Sequence, residues 1–186
     1  RNYNWPKKFP ATELIYYTSL SDGCEPPQDE LLEFLEKHPA VKIAFNPGSF
    51  QLKSSLSKVK EFIRKTDLLI INLEEAERIL NTTIEKEKTK ISLVHRLLQL
   101  GAKEVVITDA AAGSVAGNED EVWSIGSFPV KVVAKTGAGD AFSSAYISAR
   151  IYGHDIPHAL TWGIANSSSV ITEYGAQKGL LDEKGI

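Results

Sequence analysis

The stretch VVAKTGAGDAFSSAY, Val132–Tyr146, decides how the rest of the chain is interpreted. Its three small residues, 137–139, lie between an apolar run and a segment that favours a helix, and Asp140 follows them directly. Glycines let backbone amides approach an anion closely, and the N-terminus of a helix carries partial positive charge. Asp140 therefore either caps the helix or stands beside a bound phosphate and takes part in its chemistry. The stretch alone leaves both interpretations open.

The overall composition is that of an ordinary soluble globular protein. With 186 residues, of which 42% are hydrophobic and 24% charged, we expect a single domain over residues 1–186 with a substantial core. The net charge of −3 argues against nucleic acid or an anionic membrane as a partner. No apolar stretch is long enough to span a bilayer. The lone Cys24 has no partner for an internal disulfide, so a cytoplasmic setting is the simplest interpretation.

Apolar runs that favour strands alternate with amphipathic segments that favour helices. Because the strand candidates are almost continuously apolar, the order predicts an α/β fold with three layers, a mostly parallel central sheet covered by helices on both faces. In such sheets ligands bind beyond the carboxyl ends of the strands. The predicted strands lie in 12–20, 41–45, 66–73, 104–108, 114–117, 121–126 and 130–134, and the predicted helices in 28–38, 55–65, 74–80, 91–101, 140–153 and 157–173.

Two further polar clusters come directly after predicted strands. Asn72 and Glu75 are three residues apart at the start of a helix, where they face the same way and suit Mg²⁺ held through waters. Helix capping by first-turn residues is the simpler local interpretation. Thr108, Asp109 and Gly113 suit the rim of a nucleotide pocket, although a plain β-turn explains them equally well.

Together these stretches resemble the ribokinase-like (PfkB) family of carbohydrate and nucleoside kinases. KTGAGDAF at 135–142 is similar to the family's signature Asp-Thr-x-Gly-Ala-Gly-Asp, and INLEEAERIL at 71–80 to its Asn-x-x-Glu segment. VVITDAAAGSVAG at 105–117 resembles its nucleotide loop, and ANSSSVITEYGAQKGLL at 165–181 its closing helix and adenine-side loop. The four matches occur in the family's order, which makes a chance resemblance a poor explanation.

The resemblance runs from residue 12 to residue 181 and covers only the C-terminal part of the family. The N-terminal part, with most sugar contacts and the lid through which members often dimerise, has no counterpart here. The chain also begins at Arg1 and contains no Met. We therefore expect a piece of a longer chain that is inactive by itself, and we leave a homodimer open.

The resemblance implies an ATP-dependent kinase that transfers the γ-phosphate to a small sugar or nucleoside. Asp140 would be the base, and the amides of Gly137, Ala138 and Gly139 would form an anion hole for the transferring group. Asn72 and Glu75 would order Mg²⁺ and its waters. The nucleotide site would be lined by Thr108, Asp109, Gly113 and Asn166. The residues that would choose the acceptor lie upstream of Arg1.

Two departures from the family pattern affect these expectations. Ala134 and Lys135 replace the family's Asp-Thr, near which many members bind a monovalent cation, so potassium activation stays open. Lys135 either meets a nucleotide phosphate or is simply exposed. Ala110 replaces a glycine of the nucleotide loop, which is tolerated unless φ is positive there.

Two alternatives to an active kinase follow from the same residues. One is a nucleotide-binding pseudokinase or regulatory module without transfer activity, which the departure at Ala134 and Lys135 and the missing N-terminal part suggest. The other is a non-kinase α/β binding domain in which the stretch around Asp140 is only a capped turn. ATP binding without transfer to any acceptor, even with the N-terminal part restored, would indicate the first, and the absence of nucleotide affinity would indicate the second.

Overall fold

The structure is a computed structural model that describes residues 11–20, 25–182 and 184–185. Within the helix that begins at Glu25, side chains are described from Gln28 onward. Cys24, for which the sequence predicts no disulfide, lies outside the described residues.

Strands and helices alternate along most of the chain, as the sequence predicts. The strands are β1 (Leu14–Tyr17), β2 (Lys42–Phe45), β3 (Leu68–Asn72), β4 (Glu104–Thr108), β5 (Ser114–Gly117) and β6 (Val122–Ile125). The helices are α1 (Glu25–Lys37), α2 (Ser49–Ser54), α3 (Leu56–Ile63), α4 (Leu73–Leu80), α5 (Ile84–Glu87), α6 (Lys90–Gln99), α7 (Ala138–Ile151) and α8 (Ile156–Val170). A short 3₁₀ turn covers Ala110–Ala112.

The sheet is mixed, and its strands follow the order of the chain from β1 to β6. Strand β1 pairs in parallel with β2, and β2 in parallel with β3. Strands β5 and β6 form an antiparallel hairpin. The backbone contacts divide the chain into two compact units, residues 1–105 and 106–186, with the boundary inside β4. The single domain over residues 1–186 therefore stays a prediction.

The core of the first unit is built on the continuously apolar strands. Residues 68–71 of β3 are all buried, as parallel strands covered on both faces require. Three aromatic rings pack together where β1 and β2 end. The ring of Tyr17 stacks on that of Phe45 with 5.2 Å between the centroids, and the ring of Phe62 lies 5.0 Å from that of Tyr17. The buried Gln51 donates to the Tyr17 hydroxyl and accepts from the Gly48 amide, so it ties the loop after β2 to β1. The apolar faces of α3, α4 and α6 complete this core.

The second unit is dominated by the close pair of α7 and α8. A Cβ at Gly163 would lie 2.7 Å from the ring of Phe142, so the glycine allows the two helices to approach. The predicted helices 140–153 and 157–173 are confirmed within a few residues. Within the described residues, no helix is long and apolar enough to cross a membrane.

The predicted strand at 130–134 is wrong. This segment lies outside every strand, and the side chains of Val130, Val132 and Val133 are exposed. The amides of Val133 and Ala134 both donate to the Ile171 carbonyl, at 2.8 and 3.2 Å, instead of entering a strand ladder. β-Branched composition gives a strand only where a neighbouring strand supplies partners, and this segment meets a single carbonyl instead.

Candidate active site

The GAGD turn, residues 137–140, opens helix α7. Gly137 is the N-cap with φ 85° and ψ −3°, Ala138 is the first helical residue, and Asp140 lies in the first turn. The Ala138 amide donates to the Lys135 carbonyl at 3.3 Å, which closes a β-turn over 135–138. The dihedral angles of Gly137 match the third position of a type II turn, which requires positive φ. The predicted glycine turn at a helix start is therefore present, although a loop and not a strand precedes it.

The chain that follows α8 holds this turn in place. The Ile171 carbonyl accepts both amides of residues 133 and 134, and a Cβ built on Gly137 would lie 2.7 Å from the Cβ of Ala176. Sequence reasoning assigned no role to Ile171 or Ala176. The only signal was their position in the stretch 165–181, which resembles the family's closing segment.

Three glycines of the predicted site differ in what requires them. At Gly113, φ is +81° and a Cβ would meet the Ile125 carbonyl oxygen at 2.0 Å. At Gly137, φ is +85° and the backbone of Ala176 stands 2.8 Å from a Cβ. At Gly139 a Cβ would meet nothing within 4 Å, and the residue is helical without positive φ. The fold therefore requires glycine at the first two positions, and it does not require glycine at position 139.

Asp140 is exposed at this turn, and the amide beside it is available. Among the described residues, the Gly139 amide donates no hydrogen bond. The first amides of a helix have no partner inside the helix, and they point toward the N-terminal end. A carboxylate and an available amide thus stand together at the positive end of α7.

The predicted rim residues at the end of β4 form one tight turn. Thr108 is the last residue of β4, and the Asp109 amide donates to the Gly113 carbonyl at 2.8 Å. Ala110, inside the turn, has φ +41°. Because positive φ is unfavourable for alanine, the alanine that replaces the family's glycine is strained here. The structure therefore brings Thr108, Asp109 and Gly113 together, at the cost of strain at Ala110.

Asn166 is engaged at both ends of its side chain. Its Nδ2 donates to the Ala141 carbonyl at 2.8 Å, and its Oδ1 accepts from the Leu181 amide at 2.8 Å. The residue is only 4% exposed, and its side chain ties the first turn of α7 to the segment after α8. It also borders a cavity of about 200 Å³ that Ser148 and Trp162 line as well. The structure therefore gives Asn166 a structural role, and its predicted contact with a nucleotide stays a prediction.

Asn72 and Glu75 lie in the first unit and bond to each other. Asn72 Oδ1 accepts from the Glu75 amide and Glu75 Oε2 accepts from the Asn72 amide, each at 2.9 Å, which is a capping box. Burial of the carboxyl raises the pKa of Glu75, and the neighbouring Glu74 adds to the increase against the opposing effect of the Asn72 amide. The capping interpretation is correct, and the second carboxylate oxygen of Glu75 remains outside the capping box.

Comparison with known proteins gives the family. The sequence matches the model of the pfkB family carbohydrate kinases over residues 7–183. It is 32% identical over 179 residues to the ATP-dependent 6-phosphofructokinase of Thermoanaerobacterium thermosaccharolyticum, a match that covers 92% of this chain and 54% of that protein. The chain spans about half the length of the curated relatives it matches.

Solved structures agree on the fold. The nucleoside kinase of Methanocaldococcus jannaschii, an archaeal member of the ribokinase family, has a TM-score of 0.73 and 26% identity, covering 94% of this chain and 54% of that one. An Escherichia coli protein assigned as ribokinase II, in complex with ATP and Mg²⁺, has a TM-score of 0.75 and 22% identity, covering 91% and 55%. The three-layer, ribokinase-like α/β fold is thereby confirmed. Since the family model matches nearly the whole chain, the protein belongs to the pfkB family of carbohydrate kinases.

Proposed function

We propose that this chain is the nucleotide-binding and catalytic part of an ATP-dependent sugar or nucleoside kinase. The observation that carries the proposal is the GAGD turn at the start of α7 in a chain of the pfkB family. The kinase activities of the relatives support it, since one acts as an ATP-dependent 6-phosphofructokinase and another as a nucleoside kinase. The acceptor is a small molecule with a hydroxyl group.

Asp140 is the base in this proposal. The acceptor oxygen forms a bond to the γ-phosphorus while the bond from that phosphorus to the bridging oxygen of ADP breaks. The proton of the attacking hydroxyl passes to the Asp140 carboxylate. Its exposed position in the first turn of α7 leaves the carboxylate open to an acceptor.

The amides of Gly137, Ala138 and Gly139 form the anion hole for the transferring phosphoryl group. The Ala138 amide already donates to the Lys135 carbonyl at 3.3 Å, so the proposal puts the main contacts on the amides of Gly137 and Gly139. The open space at the Gly139 Cβ position supports a close approach by a phosphate oxygen. Fixed dipoles at this point stabilise the charge on the transferring group, which is the main task in phosphoryl transfer.

Asn72 and Glu75 fit a Mg²⁺ ion held through its waters. The capping box uses one oxygen of Glu75, and the other oxygen can accept from a metal-bound water. A nearby cation would also favour the charged form of this carboxyl, whose pKa burial raises. When bound with ATP, Mg²⁺ neutralises charge on the phosphates. Thr108, Asp109 and Gly113 line the nucleotide site in this proposal, with Asn166 behind the first turn of α7.

The test is ATP-dependent phosphorylation of a pooled panel of sugars and nucleosides. The chain would be run beside a version extended upstream to its natural start, called here the extended protein. We expect transfer by the extended protein, and the product that forms names the acceptor. Asp140→Asn should lower its turnover by about 10²–10⁴-fold and leave binding of ATP with Mg²⁺ largely intact.

A matched control is Asp120→Asn, which makes the same change at an exposed carboxylate in the β5–β6 hairpin. Its turnover should equal that of the unchanged protein. Near-normal turnover of Asp140→Asn would overturn the role of Asp140. ATP binding without transfer to any acceptor, even by the extended protein, would indicate the pseudokinase instead.

A further inference from the structure

Lys135 places a cation at the turn that opens α7. It is the first residue of the type II turn over 135–138, and its carbonyl accepts from the Ala138 amide at 3.3 Å. A β-turn brings its first and fourth Cα atoms within about 7 Å. The backbone of Lys135 is therefore held close to the start of α7, and its flexible side chain carries a positive charge beside the GAGD turn.

The backbone on both sides of Lys135 is fixed. The two residues before it donate to the Ile171 carbonyl at 2.8 and 3.2 Å. Two residues after it, Gly137 packs so closely on Ala176 that a Cβ would lie 2.7 Å from the Cβ of that residue. Because the backbone around Lys135 is already fixed, binding an anion costs only the conformational entropy of the side chain and not that of a mobile loop.

The ammonium group is also available. The side chain of Lys135 is exposed, and among the described residues it makes no ion pair and no side-chain hydrogen bond. Other lysines bind carboxylates: Lys58 lies 2.7 Å from Asp29, and Lys103 lies 2.8 Å from Asp67. The nearest acid along the chain is Asp140, which is not within ion-pair distance of it.

We propose that Lys135 binds an oxygen of the terminal phosphates of the nucleotide and adds a full positive charge to the partial charges of the GAGD amides. The inference rests on the proposed kinase function and deepens it. An ammonium is a compact point charge on a flexible stem, which suits a phosphate whose charge moves during transfer. Three features support this role: the ammonium group of Lys135 makes no ion pair among the described residues, its backbone is fixed, and the space at the Gly139 Cβ position is open.

The experiment replaces Lys135 with Met, which keeps the length of the side chain and removes the charge. In the extended protein, Lys135→Met should lower the affinity for ATP and kcat/KM for ATP by about 10- to 100-fold, the range for losing one hydrogen bond to a charged group. The affinity for adenosine should stay unchanged, because adenosine has no phosphate. Lys135→Arg should recover part of the loss, and the dependence of ATP affinity on ionic strength should weaken in Lys135→Met.

Lys131→Met is the matched control. Lys131 is exposed in the same segment, four residues upstream, and it too makes no ion pair among the described residues. The Lys131→Met variant should bind ATP and turn it over like the unchanged protein. Equal melting temperatures for all three variants would exclude a difference in folding, since none of them alters a buried group.

Each outcome decides between the two proposals. If Asp140→Asn stops turnover while Lys135→Met keeps ATP affinity and turnover unchanged, the Lys135 inference is wrong and the kinase function stands. If the extended protein shows no transfer but binds ATP, weaker ATP binding by Lys135→Met supports the phosphate contact without catalysis. If ATP does not bind at all, both the contact and the kinase function are refuted.

Discussion

Gly139→Ala separates a phosphate cradle from an ordinary capped turn. Gly139 is the second residue of α7, and a Cβ placed there would meet no atom within 4 Å. Glycine in the interior of a helix is less favourable than alanine by roughly 0.5–1 kcal/mol, which is an upper limit for a residue in the first turn. Because nothing opposes the added methyl group, the substitution should raise the free energy of unfolding by up to that amount. For a protein of this size the melting temperature then rises by up to about 4 °C.

The same methyl group should damage the reaction. In the proposed function it occupies the space through which a phosphate oxygen approaches the Gly139 amide. Loss of one donor from an anion hole costs about 10²–10³ in turnover. We therefore expect kcat/KM for ATP of the extended protein to fall by about 10²–10³, in a variant that is as stable as the unchanged protein or more so.

The assay pairs thermal unfolding with initial rates on the acceptor found in the panel. Gly126→Ala is the matched control, because a Cβ at the exposed Gly126 also meets nothing within 4 Å. That variant should keep full activity. If kcat/KM is unchanged in Gly139→Ala, the turn only caps the helix, and the proposed phosphate contact at the Gly139 amide is refuted. A lower melting temperature would show that the space at Gly139 is not open.

Three other changes test single features of the fold. Gly113→Ala should lower the free energy of unfolding by about 2–5 kcal/mol, since the new Cβ meets the Ile125 carbonyl at 2.0 Å with φ at +81°; a urea titration that finds no loss contradicts this geometry. Ala110→Gly should raise the free energy of unfolding by about 0.5–1 kcal/mol, because φ of +41° strains alanine and the greater freedom of the unfolded chain offsets only part of the gain. A lower midpoint in urea would argue against that strain. The raised pKa of Glu75 means that the native state favours the protonated carboxyl, so without Mg²⁺ stability should fall as pH rises from the ordinary value of 4.5 through the raised one. Glu75→Gln should flatten this fall, and identical pH profiles of the two proteins would disprove it.

The sequence predicted the order of the elements well because most of them are long and strongly patterned. Continuous apolar runs identified β3 and β4, and helical spacing identified α6, α7 and α8. Helices α2 and α5 were missed, since six and four residues are too few to show a period. The strand predicted at 130–134 failed for a different reason: composition indicates what a segment favours, but not whether a strand lies beside it to pair with.

The candidate site shows the same limit at the level of single side chains. A sequence presents Asn166 as a polar residue in a promising place, but only the fold shows that Ala141 and Leu181 already use both ends of its amide. Whether Ala110 is tolerated depended on the sign of φ, which no spacing of residues reveals.

The three glycines of the predicted site show most clearly what the structure adds to the sequence. In the sequence, Gly113, Gly137 and Gly139 are equal members of motifs, and each could serve a turn or a ligand. In the structure, positive φ and a neighbouring backbone account for the first two, while neither accounts for Gly139. In the proposed function, the open space at Gly139 admits a phosphate oxygen to its amide. Of these three glycines, Gly139 is therefore the one that supports the proposed phosphate contact, and Gly139→Ala tests that contact directly.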